Sequence, residues 1–160
     1  MIGIVRGAAK TQLVRSLGFN DAIDASEGEL AAPIVALAPK GINAFFGNVG
    51  TTMLDAALVN LAQVARIVIC GATAHYDGPA PITNHLMLAM RGATMAGFFY
   101  FDHVARWAEG LARLAGWLQS GAIGEALDIA KGFDAVPEAA LVQFTGGNAG
   151  CKLVRLSGDR

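Results

Sequence analysis

Four short stretches hold the residue types and spacings that could do chemistry. Arg6-Gly7-Ala8-Ala9-Lys10 sets two cations around the start of a helix. Positive charge there opposes the helix dipole unless an anion sits between the cations. Where a second strand of a dinucleotide fold ends, an acid selects NAD and basic residues accommodate the 2′-phosphate of NADP; this stretch has the bases and no acid. Gly47-Asn48-Val49-Gly50 lies where an apolar strand gives way to a helix, a place where free backbone amides suit phosphate or amide groups. Cys70-Gly71-Ala72 follows the most apolar strand candidate, and a glycine there lets a flat ligand approach the backbone. Tyr76, in Tyr76-Asp77-Gly78, could offer a hydroxyl to a ligand. Each stretch also has a plainer reading: a connecting turn, a small core cysteine, a tyrosine covering its loop, a solvated helix face.

Other chemistries find less support. His75, His85 and His103 are widely spaced, and Cys70 and Cys151 lack metal-ligand spacing, so no metal site is expected. The two cysteines are expected to remain thiols in a cytoplasmic protein. A net charge of −1 gives no electrostatic footprint for nucleic acid or an anionic membrane. Arg6 and Lys10 break the apolar start too early for a signal peptide, and no apolar run is long enough to span a bilayer.

The elements that must position these residues alternate. Ile2–Val5 reads as a strand, Ala8–Leu17 as a helix ended by Gly18, and Ala22-Ile23 as a short strand. Glu27–Leu37 reads as a helix whose acidic first turn matches the dipole, with Pro33 as an alternative start. Ile42–Phe46 reads as a strand, Met53–Val64 as a helix capped by Thr51 or Thr52, and Ala65–Cys70 as a short strand covered on both faces. Beyond the loop Ala72–Thr83 come a helical turn at Leu86–Met90, a strand over Thr94–Phe101 and an amphipathic helix over Val104–Leu118. After Gly121 the pattern changes to a tail with strands at Leu127–Ala130 and Leu153–Leu156 and a helix opened by Val136-Pro137-Glu138. Strand–helix alternation predicts an α/β, mostly parallel sheet. At 160 residues, with 54% hydrophobic and only 16% charged residues, the chain has more apolar surface than one small domain needs. A sheet buried on both faces, or a face that meets a partner, would account for the excess.

Taken in order, IVRGAAK, GFNDAIDA, INAFFGNVG, ARIVICGATAHYDGP, MAGF and GGNAGCKLVRL resemble the zinc-independent medium-chain dehydrogenase/reductases, the group of leukotriene-B4 12-hydroxydehydrogenase/prostaglandin reductase, curcumin reductase-like enzymes and alkenal double-bond reductases. The resemblance implies a Rossmann-like nucleotide-binding domain over residues 1–120. It implies that residues 121–160 are a C-terminal segment returning to a GroES-like catalytic domain. It implies NADPH as cofactor, with reduction of the C=C bond of α,β-unsaturated carbonyls (enones, alkenals) or quinone-like acceptors as the reaction, on small-molecule substrates. A 2′-phosphate contact is implied at Lys10, beside which the charge pattern itself makes Arg6 a candidate, and further cofactor contacts are implied at Asn48, Cys70, Gly71 and Tyr76 for the nicotinamide and ribose, and at Asn148. No catalytic group is assigned; Tyr76 is the candidate.

The departures are specific. Ala25 stands where many members have a tyrosine near the 2′-phosphate, Gly47 where many have aspartate, Cys151 where lysine is common, Thr94 where a base is common, and Met90 where some have a tyrosine proton donor. Relatives also carry, upstream of the matching segment, a catalytic domain and a first Rossmann strand with its glycine-rich turn. No G-x-G-x-x-G occurs in this sequence. The expected sheet therefore lacks the first strand, and NADPH binding by the isolated chain is expected to be weak or absent. The gap could close by direct pairing of Ile2–Val5 with Ile42–Phe46, by a strand from another chain, or by recruitment of Leu153–Leu156. A homodimer or strand-swapped oligomer is expected. The alternative is a non-catalytic homologue, serving as an oligomerisation or nucleotide-binding module or as one half of a split enzyme.

Overall fold

The computed structural model describes residues 1–73, 78 and 81–156. Its strands are β1 (Ile2–Val5), β2 (Asp21–Asp24), β3 (Ile42–Gly47), β4 (Leu61–Ile69), β5 (Thr94–Gly97), β6 (Leu127–Lys131) and β7 (Cys151–Arg155). Its helices are α1 (Ala8–Ser16), α2 (Ala31–Leu37), α3 (Thr51–Leu58), α4 (Leu86–Arg91), α5 (Trp107–Gln119) and α6 (Val136–Thr145). Two compact units result, one from Gly3–Asp24 with the chain from Ala108 onward, the other from Ala25–Trp107.

In the second unit β3, β4 and β5 form a parallel sheet in that order. Leu54 and Leu58 of α3 pack with Leu61, Ala65 and Ile67 of β4, and Ile42, Phe45, Ile69, Ile82, Leu88 and Ala93 close around them. β4 is covered on one face only. Ala65 and Ile67 are buried while Arg66 between them is exposed, so the expectation of cover on both faces fails here.

β4 also begins earlier than its composition suggests. The residues after Leu58 leave the helix because Asn60 ties the chain to the start of β3. Its carbonyl accepts from Ile42 N (2.8 Å), and its Nδ2 donates to the Ala38 carbonyl (2.9 Å). Leu61 is thereby delivered opposite Ile42. The register then shifts, with Ala44 opposite Arg66, and Val64 absorbs the irregularity at φ +59°. β5 stops at Gly97 rather than Phe101, because β4 ends at Ile69 and the last bond of the ladder is Phe98 N to Ile69 O (2.8 Å). The aromatic residues that follow pack on one another instead; the Tyr100 and Trp107 rings stack at 4.4 Å.

In the first unit β1 and β2 pair, and β6 pairs in parallel with β7, Leu127 opposite Cys151 through Lys131 opposite Arg155. Gly18, at φ +91°, ends the α1 segment as its type predicts. Pro137 sits in the first turn of α6. The acid serving α2 is Glu29, whose carboxylate accepts from Ala31 N (2.5 Å) and Ala32 N (3.0 Å). The N-cap position of α3 is taken by Gly50, in extended backbone, rather than by Thr51 or Thr52.

Parallel pairing, β3–β4–β5 in one unit and β6–β7 in the other, gives the mostly parallel α/β architecture that the alternation predicts. Among the described residues β1 has no strand neighbour but β2, and β3 none but β4. Among the described residues the direct pairing of Ile2–Val5 with Ile42–Phe46 is not formed, and the tail strand β7 pairs with β6.

Candidate functional site

The carboxyl ends of β3 and β4 meet at Gly47. Its carbonyl accepts from Cys70 N (2.8 Å) and Gly71 N (3.2 Å), so the turn after each strand is locked to the other. Gly71 is required by space. A Cβ there would lie 2.7 Å from the Asn48 carbonyl oxygen. Asn48, Cys70 and Gly71 are therefore neighbours at one sheet end, as expected for an α/β ligand site. Asn48 is exposed and Gly71 half-buried, which leaves both open to a ligand.

The chain leaving Gly71 returns at Thr83-Asn84, and Asp55 on α3 secures that return. Asp55 Oδ1 accepts from Thr83 N (2.8 Å) and Asn84 N (2.7 Å), while Oδ2 accepts from Thr83 Oγ1 and Asn84 Nδ2 (2.8 Å). Burial alone would push this carboxyl up; the hydrogen bonds from Thr83 and Asn84 outweigh it and hold the carboxyl below its usual range. Tyr76, the candidate hydroxyl, lies outside the described residues.

The second group belongs to the other unit. Gly7, at φ +89°, turns the chain from β1 into α1, with exposed Arg6 on one side and half-buried Lys10 on the other. The Gly7 amide donates to Asp24 Oδ1 at 2.7 Å. The acid absent from this stretch in sequence thus arrives through space, from the end of β2. Lys10 reaches the C-terminal end of α6, where a methyl group on Gly146 would lie 3.7 Å from its Nζ. That end of a helix favours a cation. Asn148 follows two residues later and donates its Nδ2 to the Gly150 carbonyl (2.7 Å), shaping the turn into β7. Gly150 has no room for a side chain, since a Cβ would run into the Ala126 carbonyl oxygen.

The turn Gly146–Gly150 thus brings Lys10 and Asn148, distant in sequence, into one neighbourhood. Cys151 stands exposed, and the lysine one residue on, Lys152, faces the other side of β7 and pairs with Asp128 at 2.8 Å. Hydrogen bonding from Lys152 holds the Asp128 carboxyl below its usual range. Asp24 and Asp55 were not legible as site residues: each acts on a segment 17 to 29 residues away in the chain. The pairing of β1 with β2 is the one signal that could have led to Asp24.

The family model for zinc-binding dehydrogenases matches residues 1–116. The NADP(+)-dependent 2-alkenal reductase of Nicotiana tabacum is 30% identical over 98% of this chain and 47% of its own length. The NADPH-dependent curcumin reductase of Escherichia coli is 27% identical over 99% of this chain and 49% of its own. The crystal structure of CurA in complex with NADPH from Vibrio vulnificus superposes with a TM-score of 0.86 at 29% identity, covering 99% of this chain and 50% of that one. The chain spans about half the length of the curated relatives it matches.

Proposed function

Because the chain belongs to the zinc-binding dehydrogenase family, we propose that it is the nucleotide-binding portion of an NADP(H)-dependent oxidoreductase. The reaction in this reading is reduction of the C=C bond of α,β-unsaturated carbonyls, or of quinone-like acceptors. The observation that carries it is the likeness, over nearly the whole chain, to the structure of CurA in complex with NADPH. Relatives named for alkenal and curcumin reduction support the substrate class. Among the described residues no three His, Cys, Asp or Glu side chains come together as a metal site.

The residues fit the dinucleotide. Arg6 and Lys10 supply the positive charge that a 2′-phosphate needs, Asn148 stands near Lys10, and Asn48, Cys70 and Gly71 present backbone and amide groups at the ends of β3 and β4. When bound, NADPH supplies the hydride; the protein holds and orients it. Tyr76 is the candidate to donate a hydrogen bond to an enone carbonyl. Residues 1–120 form the nucleotide-binding part in this reading, and residues 121–160 lead toward a catalytic domain.

A second reading, a module that associates with another chain or forms half of a split enzyme, is favoured by the exposed apolar surface. Leu111 (65% exposed), Leu114 and Trp117 of α5 lie open, as does every residue of the edge strand β5. A second copy pairing on one of these two surfaces, each in its own unit, is the homodimer proposed; no helix among the described residues is long and apolar enough to cross a membrane. A cytoplasmic setting completes the proposal.

Titration of the full chain with NADPH, followed by nicotinamide fluorescence, tests the cofactor. Loss of reduced-nicotinamide absorbance on adding an enone tests the reaction. Fluorescence change with no turnover supports the second reading, and no change at millimolar cofactor refutes independent binding.

A further inference from the structure

The turn between β1 and α1 carries charges of both signs. Arg6 and Lys10 would attract the doubly charged 2′-phosphate of NADP(H). α1 has no acid of its own in its first turn. Asp24 nonetheless holds a carboxylate oxygen 2.7 Å from the Gly7 amide, in the turn that separates the two cations. Two effects follow for an incoming phosphate. The Gly7 amide already has an anionic acceptor, so it is not free to donate to the phosphate. The carboxylate's own charge also repels the phosphate at short range, where screening is least. A ribose bearing a free 2′-hydroxyl meets neither penalty, because a hydroxyl can donate to the same carboxylate.

We propose that Asp24 is a specificity-determining residue: its carboxylate, seated on the Gly7 amide, limits the preference that Arg6 and Lys10 create for NADP(H) over NAD(H). This rests on the dinucleotide reading above. It adds an element that reading does not contain, an acid set against the bases.

The test is equilibrium titration of the full chain with NADPH and with NADH, followed by amide resonance shifts so that millimolar affinities can be read. Asp24→Asn keeps an acceptor for the Gly7 amide and removes the charge. Asp24→Ser, whose hydroxyl can also accept that bond, guards against a folding defect in the first variant, and Lys10→Ala reports the cation. The ratio of the NADH to the NADPH dissociation constant should rise about tenfold in both Asp24 variants and fall in Lys10→Ala. The rise should shrink as salt is added, which a purely structural defect would not do. A ratio within about twofold of the parent in both Asp24 variants, with Lys10→Ala still lowering it, overturns the role of Asp24 and leaves the dinucleotide reading standing. Absence of shifts with either dinucleotide in every form overturns both.

Discussion

Replacing Asp55 by asparagine should detach the end of the loop that leaves Gly71. The carboxylate accepts from two backbone amides, one hydroxyl and one side-chain amide, all on Thr83 and Asn84. Asparagine keeps an oxygen for the two backbone amides. It presents an NH2 group where Oδ2 accepted from Asn84 Nδ2, so at least that bond becomes donor against donor, and the rest lose their charge. A hydrogen bond to a charged group contributes about 1.5–3 kcal/mol net, and a neutral one about 0.5–1.5. For a half-buried site the low end applies, giving a loss of about 2 kcal/mol. In a chain of this size that lowers Tm by roughly 4–8 °C.

The pH dependence has a definite sign. The Asp55 carboxyl is held below its usual range in the folded chain, so its contribution is complete above the unfolded pKa of about 3.9 and fades as pH falls through the folded value. Urea unfolding of parent and Asp55→Asn at a series of pH values should show a constant gap from about pH 7 to 5 that narrows below about pH 4. Hydrogen exchange should quicken at Thr83 and Asn84 in the variant. A gap under about 0.5 kcal/mol at neutral pH, or one unchanged in acid, would refute the reasoning.

Further outcomes are expected. Gly71→Ala forces a methyl to 2.7 Å from the Asn48 carbonyl, so the two turns must part; denaturant melts should record a loss of about 1–3 kcal/mol, and NADPH binding should weaken with it. Paired Leu111→Glu and Leu114→Glu substitutions should abolish concentration-dependent association in sedimentation, provided the exposed face of α5 meets a second copy. Gly150→Ala, with a methyl driven against Ala126, should unzip β6 from β7, seen as faster amide exchange over Leu127–Lys131.

Most of the fold could be read from residue patterns because its signals are local. Ile2–Val5 and Ile42–Phe46 are short apolar runs bounded by glycine, and Pro137 announces α6. The misreadings arose where a distant contact decided the outcome. Leu61–Val64 continues a helical pattern, yet Asn60 fastens it to β3. Thr94–Phe101 is apolar throughout, yet a strand needs a partner, and β4 ends at Ile69. The site divides the same way. Gly71 and Gly47 stand out because glycine after a buried strand has few other uses. Asp24 and Asp55 look like ordinary surface acids until the fold carries them to Gly7 and to Asn84.

The central claim is that the ends of β3 and β4 and the β1–α1 turn are dinucleotide-binding surfaces, and amide chemical-shift mapping with NADPH addresses it most directly. The proposal predicts that Gly7, Lys10 and Asn148 in one unit, and Asn48 and Gly71 in the other, shift as NADPH is added. Saturating millimolar NADPH that leaves these resonances in place, or moves only residues elsewhere, would contradict it.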